Sequence, residues 1–542
     1  MKQKLLKSLC LGMAAVLSLS TFSGCGNSGN VESSSSESLN NDEKTESETQ
    51  EKTNFTIAVK KHALSKCDDF NEMKAFQMAE EATGVHIDWM YVEDGANDKI
   101  SAMLTADLPD AFLGLLGESQ IAMNMNLFAD LSGLLEENAP HVVSDYNSME
   151  NNGIELLTWP DGSIRTLMIG SETSSDNDPD GIQFINKAWL DQLGLDVPTT
   201  TEELYEVLCA FRDNDMNGNG DTTDEIPLEL CENNWAAHVM NFANPWGIAG
   251  ASQDDLSYYY KVEDGKVLPT IDTDEYRAYL EYMHTLVSEG LLDVEFLTQT
   301  NDQYYSKLKS GTVGCYSGWN PYSSFTEEEA ANWVPMRVVT ADDSITPVKS
   351  GRPGRLFANR TGFAITSECE NVEKLLEWWD YLSSSTEIKY TMAYGEQGGC
   401  WDIDEEGKLI QKTPEGLSSD FTVENYKYTY GMVGCSTMIR SDESIVIDPE
   451  QAYTTYVRSV YVDTVSDQLG TEFIPYRFVD PDKVDERSFI ATELKTYAAN
   501  FRATSITDGV TDESWEAYKG QLEALQYYDW IQWYQNYCDG TL

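Results

Sequence analysis

Basic residues are scarce in this chain: 36 Lys and Arg stand against 92 Asp and Glu, a formal charge of −56 over 542 residues. A surface this acidic repels nucleic acid and anionic lipid, so neither is expected as a partner. It also disfavours an anionic ligand unless a local basic pocket overrides the average. Histidine is rarer still. His62, His86, His141, His238 and His284 form neither an HExxH motif nor a pair at helical spacing, so catalytic zinc has no ligand set. The chain also lacks a GxSxG elbow, a P-loop and a dinucleotide fingerprint. Its ten cysteines contain no CxxC pair and no zinc spacing. The scatter of Cys67, Cys209, Cys231, Cys315, Cys369, Cys400, Cys435 and Cys538 favours buried or free thiols over a disulfide framework. No internal repeat is visible, which argues against a solenoid or propeller.

A long hydrophobic run is missing too. Leu9 to Leu19 is too short to span a bilayer, which takes about 20 apolar residues. What is present around that run is more telling. Lys2, Lys4 and Lys7 precede it, and Ser23, Gly24 and Cys25 follow, the order of a secretory signal that ends in a cysteine. It resembles the signal of bacterial lipoproteins, with Phe22 where leucine is usual. That resemblance implies acylation of the Cys25 thiol with chains such as palmitate, and a membrane anchor on the outer cell face. From Gly26 to Thr53 the chain is nearly all Ser, Glu, Asn, Thr, Asp and Lys, a composition that cannot bury enough surface to order itself. The expected plan is a signal peptide over 1–24, a lipidated Cys25 with a disordered tether over 25–53, and a body over 54–542.

The body opens with a strand pattern at Phe55 to Val59. A helical stripe follows in Phe70, Met73, Phe76, Ala79 and Ala82, with Gly84 as its stop. Val85, Ile87, Trp89 and Tyr91 then alternate as a strand does, and Ala111 to Leu116 reads as a further buried strand. The alternation predicts an α/β fold with a largely parallel sheet. Ligands of such sheets bind beyond the carboxyl ends of the strands, which singles out Glu118 and Ser119. Farther on, Thr200 and Glu203 have the spacing of a capping box, ahead of the stripe Leu204, Val207, Leu208 and Phe211.

That helix runs into Asp213-Asn214-Asp215-Met216-Asn217-Gly218-Asn219-Gly220-Asp221-Thr222-Thr223-Asp224-Glu225. Calcium takes six to eight oxygens, and alternate residues of a tight loop turn their oxygens inward around a glycine-permitted bend. Two registers fit, one starting at Asp213 and one at Asp215 with Asn219 and Glu225. Both use Asp215, Asn217, Asp221 and Asp224. The expected role of a bound Ca2+ is structural, since it neutralises clustered carboxylates and fixes the loop.

Several stretches point to a family. Ala106-Asp107-Leu108-Pro109-Asp110, Asn186 to Gly194 with Pro198-Thr199-Thr200, Asp224-Glu225-Ile226-Pro227-Leu228 and Tyr394-Gly395-Glu396-Gln397-Gly398 spread over nearly the whole body. With them the chain resembles the extracellular solute-binding lipoproteins of bacterial carbohydrate ABC importers, in the calcium-containing branch of alginate-oligosaccharide-binding and LipO/YtcQ-like proteins. It departs at Ala106, where glycine is common, and by one residue inserted in the calcium loop. The resemblance implies a two-lobed, type II periplasmic-binding-protein-like fold with a hinge and a sugar-binding cleft. The lobes are expected at roughly 54–165 plus 345–400 and 166–344 plus 401–542. The partners implied are an oligosaccharide and membrane permease subunits, with the chain itself a monomer.

Sugars bind by stacking on aromatic rings and by hydrogen bonds. Tryptophans in Gly, Pro and Asn contexts are the candidates for stacking: Trp246, Trp319 and Trp401 first, then Trp235 and Trp159. Arg355 and Arg360 are candidate donors. The competing readings are a calcium-containing surface glycoside hydrolase or polysaccharide lyase, and a surface adhesin or sensor. Two carboxylates at a hydrolase's spacing exclude nothing in a chain with 92 acids, whereas the solute-binding motifs favour a carrier that is not an enzyme.

Overall fold

The strand Thr53–Lys61 buries Phe55, Ile57 and Val59 on one face and Ala58 on the other, as a strand covered on both sides must. This computed structural model describes residues 52–542, apart from 94–95, 150–151, 173–176, 251–254, 322–323, 354–355, 419, 444, 448–459 and 471. The helix Lys74–Thr83 follows and ends at Gly84, whose φ of 71° is the left-handed turn that glycine adopts without strain. Val85–Glu93 returns parallel to the first strand along its whole length, and Ala111–Leu113 joins the opposite edge, also parallel. Leu356–Ile365 and Leu167–Glu172 complete this five-stranded sheet in antiparallel sense.

A second, four-stranded sheet holds Trp333–Met336, Ile182–Asn186, Val313–Gly318 and Ile226–Glu229 in that spatial order. Its last two strands are parallel and the other pairings antiparallel. The helix Thr201–Arg212 buries Leu204, Val207, Leu208 and Phe211. Thr200 caps it by accepting from the Glu203 amide at 3.1 Å, while the Glu203 carboxylate turns back to Thr199 instead of Thr200.

Each sheet has its own apolar core. Phe76, Phe363, Trp378 and Trp379 pack on the first; Trp189, Phe211, Tyr279 and Leu280 pack on the second. The other face of the first sheet, with Ala58, Phe112 and Ala364, is covered by Phe478, Val484, Trp533 and Tyr537. The C-terminal helices therefore straddle the two halves. In Pro481–Asp508, Val484 belongs to the first sheet's outer core and Ala491, Leu494, Ala498 and Ile506 to the second sheet's core. In Tyr527–Cys538, Trp530 and Ile531 pack with the second and Trp533 and Tyr537 with the first.

Two expected boundaries shift as a result. Leu167–Glu172 pairs with Leu356–Ile365 in the first sheet, so a division at 165/166 falls before that strand. Met432 and Met438 pack in the first sheet's core, so 401–542 is not wholly the second half. Partners nearly 200 residues apart leave no local periodic trace. The eight cysteines of the body are free, most of them buried. Among the described residues no helix is long and apolar enough to cross a membrane.

Candidate ligand-binding site and metal loop

A tryptophan lies beyond the carboxyl end of each of the parallel strands Ile226–Glu229 and Val313–Gly318. Trp319 follows Gly318 directly, and Trp235 lies at the tip of a short turn after Glu229. Their rings stand 5.4 Å apart at an interplanar angle of 52°, and both are half-buried. The turn is held at its base by Cys231 N donating to Ala237 O at 3.1 Å, and by Ser317 Oγ donating to Ala236 O at 2.6 Å. Gly181 has no alternative residue here, since a Cβ on it would lie 1.9 Å from Ala236 O. Asn234 Nδ2 donates to Asn301 at 2.9 Å and to the Tyr305 hydroxyl at 3.2 Å, and Asn233 donates to Gln299 O.

Two carboxyls precede Trp235 in the chain: Glu229 is buried and Glu232 is 21% exposed. Burial pushes Glu229 up to about 8, with neighbouring Asp293 adding to the rise, so it carries its proton at neutral pH. Glu232 goes the other way. Burial opposes its charge, but Arg502 and His238 more than offset that and hold it well below the usual carboxylate range. Arg502, from the straddling helix, is 1% exposed and donates to Glu232, while His238 Nε2 stands 3.5 Å from the same carboxylate.

Beyond the carboxyl end of Ala111–Leu113, Glu118 and Ser119 open a short helix. Glu118 is shared by Arg360 at 3.5 Å and Arg487 at 3.8 Å, and Ser119 Oγ meets Ser488 Oγ at 2.8 Å. Arg360 lies over the Phe478 ring at 4.2 Å, and that ring stacks on Trp159 at 4.1 Å. Both Arg360 and Trp159 are thereby packed into the structure.

Trp246 and Trp401 are core residues, contrary to the expectation from their loop contexts. Trp246 is 7% exposed against Tyr279 and Tyr282, and Trp401 is fully buried with its Nε1 donating to Gly395 O at 2.7 Å. Their Gly and Pro neighbours end a 3-10 helix and form a turn; neither neighbour exposes the ring. Arg355 and Cys25 lie outside the described residues. Residues that sequence reasoning passed over are Glu232, Arg502 and His238, which sit 270 positions or fewer apart in no recognisable motif.

In the acidic loop, Asp215 gathers the amides of Gly218, Asn219 and Gly220 at 2.7 to 3.1 Å. Asn217 and Asn219 turn their Nδ2 groups to Asp224, the closest contact being 2.7 Å. Asp221 accepts from Thr223, and Glu225 Oε1 accepts from the Met216 amide at 2.8 Å. Asp213 is outside this ring, paired with Arg212 at 2.7 Å. Glu225 Oε2 is buried without a hydrogen-bond partner. Among the described residues no three His, Cys, Asp or Glu side chains converge as a ready metal cluster, and the ring here is part amide.

No protein-family model matches the chain. It is 26% identical over 510 residues to the fructooligosaccharide ABC transporter substrate-binding protein FusA of Streptococcus pneumoniae, covering 90% of this chain and 91% of FusA. The structure of FusA in complex with kestose superposes with a TM-score of 0.78 at 23% identity, over 90% of this chain and 99% of that one. Its fold and its relatives are those of ABC-transporter substrate-binding proteins. FusA has also been solved as an EF-hand mutant in complex with fructo-nystose. The alginate-binding protein AlgQ2, solved without calcium ion, matches at a TM-score of 0.72 and 19% identity over 91% of this chain and 99% of its own. Lipoprotein LipO of Bacillus subtilis is 26% identical over 265 residues, 48% of this chain and 49% of LipO.

Proposed function

We propose that this protein is the solute-capturing component of an ABC importer for oligosaccharides, and that it delivers its ligand unchanged to membrane permease subunits. The single observation that carries the reading is the end-to-end likeness to FusA, which covers nine-tenths of both chains. The Trp235–Trp319 pair supplies the chemistry. Two rings beyond the carboxyl ends of parallel strands offer C–H stacking surfaces, and the Asn233 and Asn234 amides of the same turn are candidate hydrogen-bonding groups for a sugar. The halves built on the two sheets act as lobes, and the straddling C-terminal helices act as the hinge across which they close. Thermal shift against a glycan panel tests this, since a ligand at 100 times its Kd adds about 2.7 kcal/mol to the folded state. A panel in which no oligosaccharide raises the midpoint would refute the reading.

The same reading gives residues 215–225 a structural calcium, in the register that starts at Asp215. The donor set is entirely oxygen, and Asn217 and Asn219 reach the same centre once their amides rotate to present Oδ1. The orphaned Glu225 Oε2 is the observation in favour, because a buried carboxylate oxygen without a donor is costly and a cation relieves it. Bound calcium would supply charge neutralisation there and nothing to the ligand site. Attachment at Cys25 places the protein on the outer face of the membrane. A Cys25→Ala variant released into the medium as folded protein supports that anchor, and a variant retained by the membrane overturns it.

A further inference from the structure

The first sheet has a crevice of its own. Its parallel strands stand in the order Val85–Glu93, Thr53–Lys61, Ala111–Leu113, so the chain leaves the middle strand toward one side and comes back on the other. The loops after Thr53–Lys61 and Ala111–Leu113 therefore diverge, and the gap between their carboxyl ends is where such a sheet has room for a ligand. His62 is the first residue past Thr53–Lys61. Its ring lies flat on that of Tyr428, with centroids 3.7 Å apart and planes at 6°, and both side chains are half-buried. One segment brings Tyr428 there. The helix Val423–Tyr430 is tied to the loop after the middle strand by Lys66 N donating to Thr429 Oγ1 at 3.0 Å and by Asn425 Nδ2 donating to Leu64 O at 2.9 Å. Past the helix, Cys435 Sγ lies 2.6 Å from where a Cβ on Gly114, the residue after Ala111–Leu113, would stand. The His62 ring is fixed from its own side as well, with Nδ1 accepting from Leu64 N at 3.2 Å, so that in the neutral ring Nε2 carries the proton.

The same helix approaches the tryptophan turn. Asn234 Nδ2 donates to the Tyr305 hydroxyl at 3.2 Å. That hydroxyl is held above its ordinary pKa chiefly by burial, and the charge of Glu424, in the first turn of Val423–Tyr430, raises it further. A flat pair of rings beyond the strand ends of the first sheet and a tilted pair beyond those of the second thus belong to neighbouring segments.

We propose that the stacked His62–Tyr428 pair is a second sugar platform, which holds one ring of the oligosaccharide on the side of the first sheet while Trp235 and Trp319 hold another on the side of the second. The proposal rests on the oligosaccharide-carrier reading above and adds the residues through which the other half of the molecule takes hold of the ligand. Sugar C–H groups stack on flat ring faces, and two rings locked in parallel planes present such a face without the cost of ordering it on binding. A ligand shifts a conformational equilibrium only by binding one state better than the other. Contacts from both halves to one sugar chain are what favours a closed state over an open one.

The test is calorimetric titration of the full-length protein in detergent with 1-kestose, maltotriose, cellotriose and xylotriose, after which the tightest binder is titrated into each variant. His62→Ala and Tyr428→Ala should each weaken that sugar by about tenfold or more while circular dichroism stays native. Tyr428→Phe keeps the ring and should stay within about threefold of wild type. On the wild-type protein, saturating sugar should slow the carbethoxylation of His62 by diethyl pyrocarbonate and leave His141, whose side chain is 52% exposed, reacting as before. This last measurement stands even if a variant does not fold. A folded alanine variant that binds like wild type overturns the proposal while the carrier reading stands. So does Tyr428→Phe as weak as Tyr428→Ala, and so does unchanged reactivity of His62 in a protein that binds sugar. Failure of every probe to bind the wild-type protein overturns the carrier reading and the proposal with it.

Discussion

Thr56 and Asp110 are joined across two parallel strands: the Thr56 amide and hydroxyl both donate to Asp110 Oδ2, at 2.7 and 2.9 Å, and the Asp110 amide donates back to the Thr56 hydroxyl at 3.0 Å. Thr366 fixes the other side of the same turn, with its hydroxyl donating to Pro109 O at 2.7 Å. The Leu-Pro-Asp stretch that carries part of the family resemblance is thus a clamp on the first sheet. Among the described residues, none of these hydrogen bonds reaches Trp235 or Trp319.

Asp110→Ala removes an acceptor from this clamp, and each bond to a charged group contributes about 1.5 to 3 kcal/mol. Urea unfolding should show a loss of roughly 3 kcal/mol, with the affinity for whichever sugar binds unchanged within a few-fold. A variant that keeps its stability but loses its ligand would reverse the assignment.

Trp246 and Trp319 should part company when each is cut to alanine. Trp246→Ala leaves a cavity between Tyr279 and Tyr282, and aromatic deletions of this kind cost about 3 to 5 kcal/mol of stability. Trp319→Ala removes one ring of a half-buried pair, so the thermal midpoint should hardly move while affinity falls by about 1 to 3 kcal/mol. Normal sugar binding by both Trp319→Ala and Trp235→Ala would place the ligand elsewhere.

The contrast shows what the sequence could carry. Periodicity is local, so the strand, helix and strand from residue 53 to 93 and the helix Thr201–Arg212 were legible, and so was the oxygen-rich loop. Exposure is a property of partners far along the chain. Trp319 and Trp401 both follow glycine or cysteine turns, yet one lies just past a strand and stays half-buried and the other is sealed by Tyr390 and Gly395. Arg502 was invisible as a site residue for the same reason, since it meets Glu232 across 270 positions. The sequence left the calcium register open between Asp213 and Asp215, and of these two Asp213 is the one paired with Arg212.

That register can be tested directly. Asp215→Asn and Asp224→Asn should each weaken calcium binding and remove the stabilisation that calcium gives, about 2.7 kcal/mol at 100 times its Kd. Asp213→Ala should behave as wild type, because its exposed pair with Arg212 contributes little. Melting curves with calcium and with chelator, for all four proteins, decide between the two starting points. Equal loss of the calcium effect in Asp213→Ala would favour the earlier one.

Glu229 gives the molecule a signed pH dependence. Its folded pKa, raised by burial to about 8 from an ordinary value near 4.5, means that the folded state holds a proton the unfolded chain has released. Stability from this group is therefore greatest below pH 4.5, falls as pH rises through 4.5 to 8, and is level above. A tenfold difference in proton affinity between the folded and unfolded chain is worth about 1.36 kcal/mol, so the fall is on the order of a few kcal/mol. Glu229→Gln should flatten the difference in stability between about pH 5 and pH 8 relative to wild type. An identical slope in both proteins would mean that Glu229 ionises normally.

Binding without turnover separates a carrier from a hydrolase or lyase built on the same aromatics and acids. An enzyme gains rate only from contacts stronger in the transition state, whereas a carrier is complementary to the sugar as it stands. Glu229 and Glu232, the carboxyls that precede Trp235 in the chain, are both held by protein partners. Glu232 is locked to Arg502 and His238, which depresses its basicity, and the protonated Glu229 is buried with its Oε1 held by Gln299. A general base must reach the proton it removes and have a pKa near the working pH, and Glu232 fails the second condition. Saturation with an oligosaccharide should thus bring lobe closure, visible as compaction in small-angle scattering, and chromatography after a day's incubation should return the sugar intact. Shortened or unsaturated products formed by the purified protein, and lost in Glu229→Gln, would make this site catalytic.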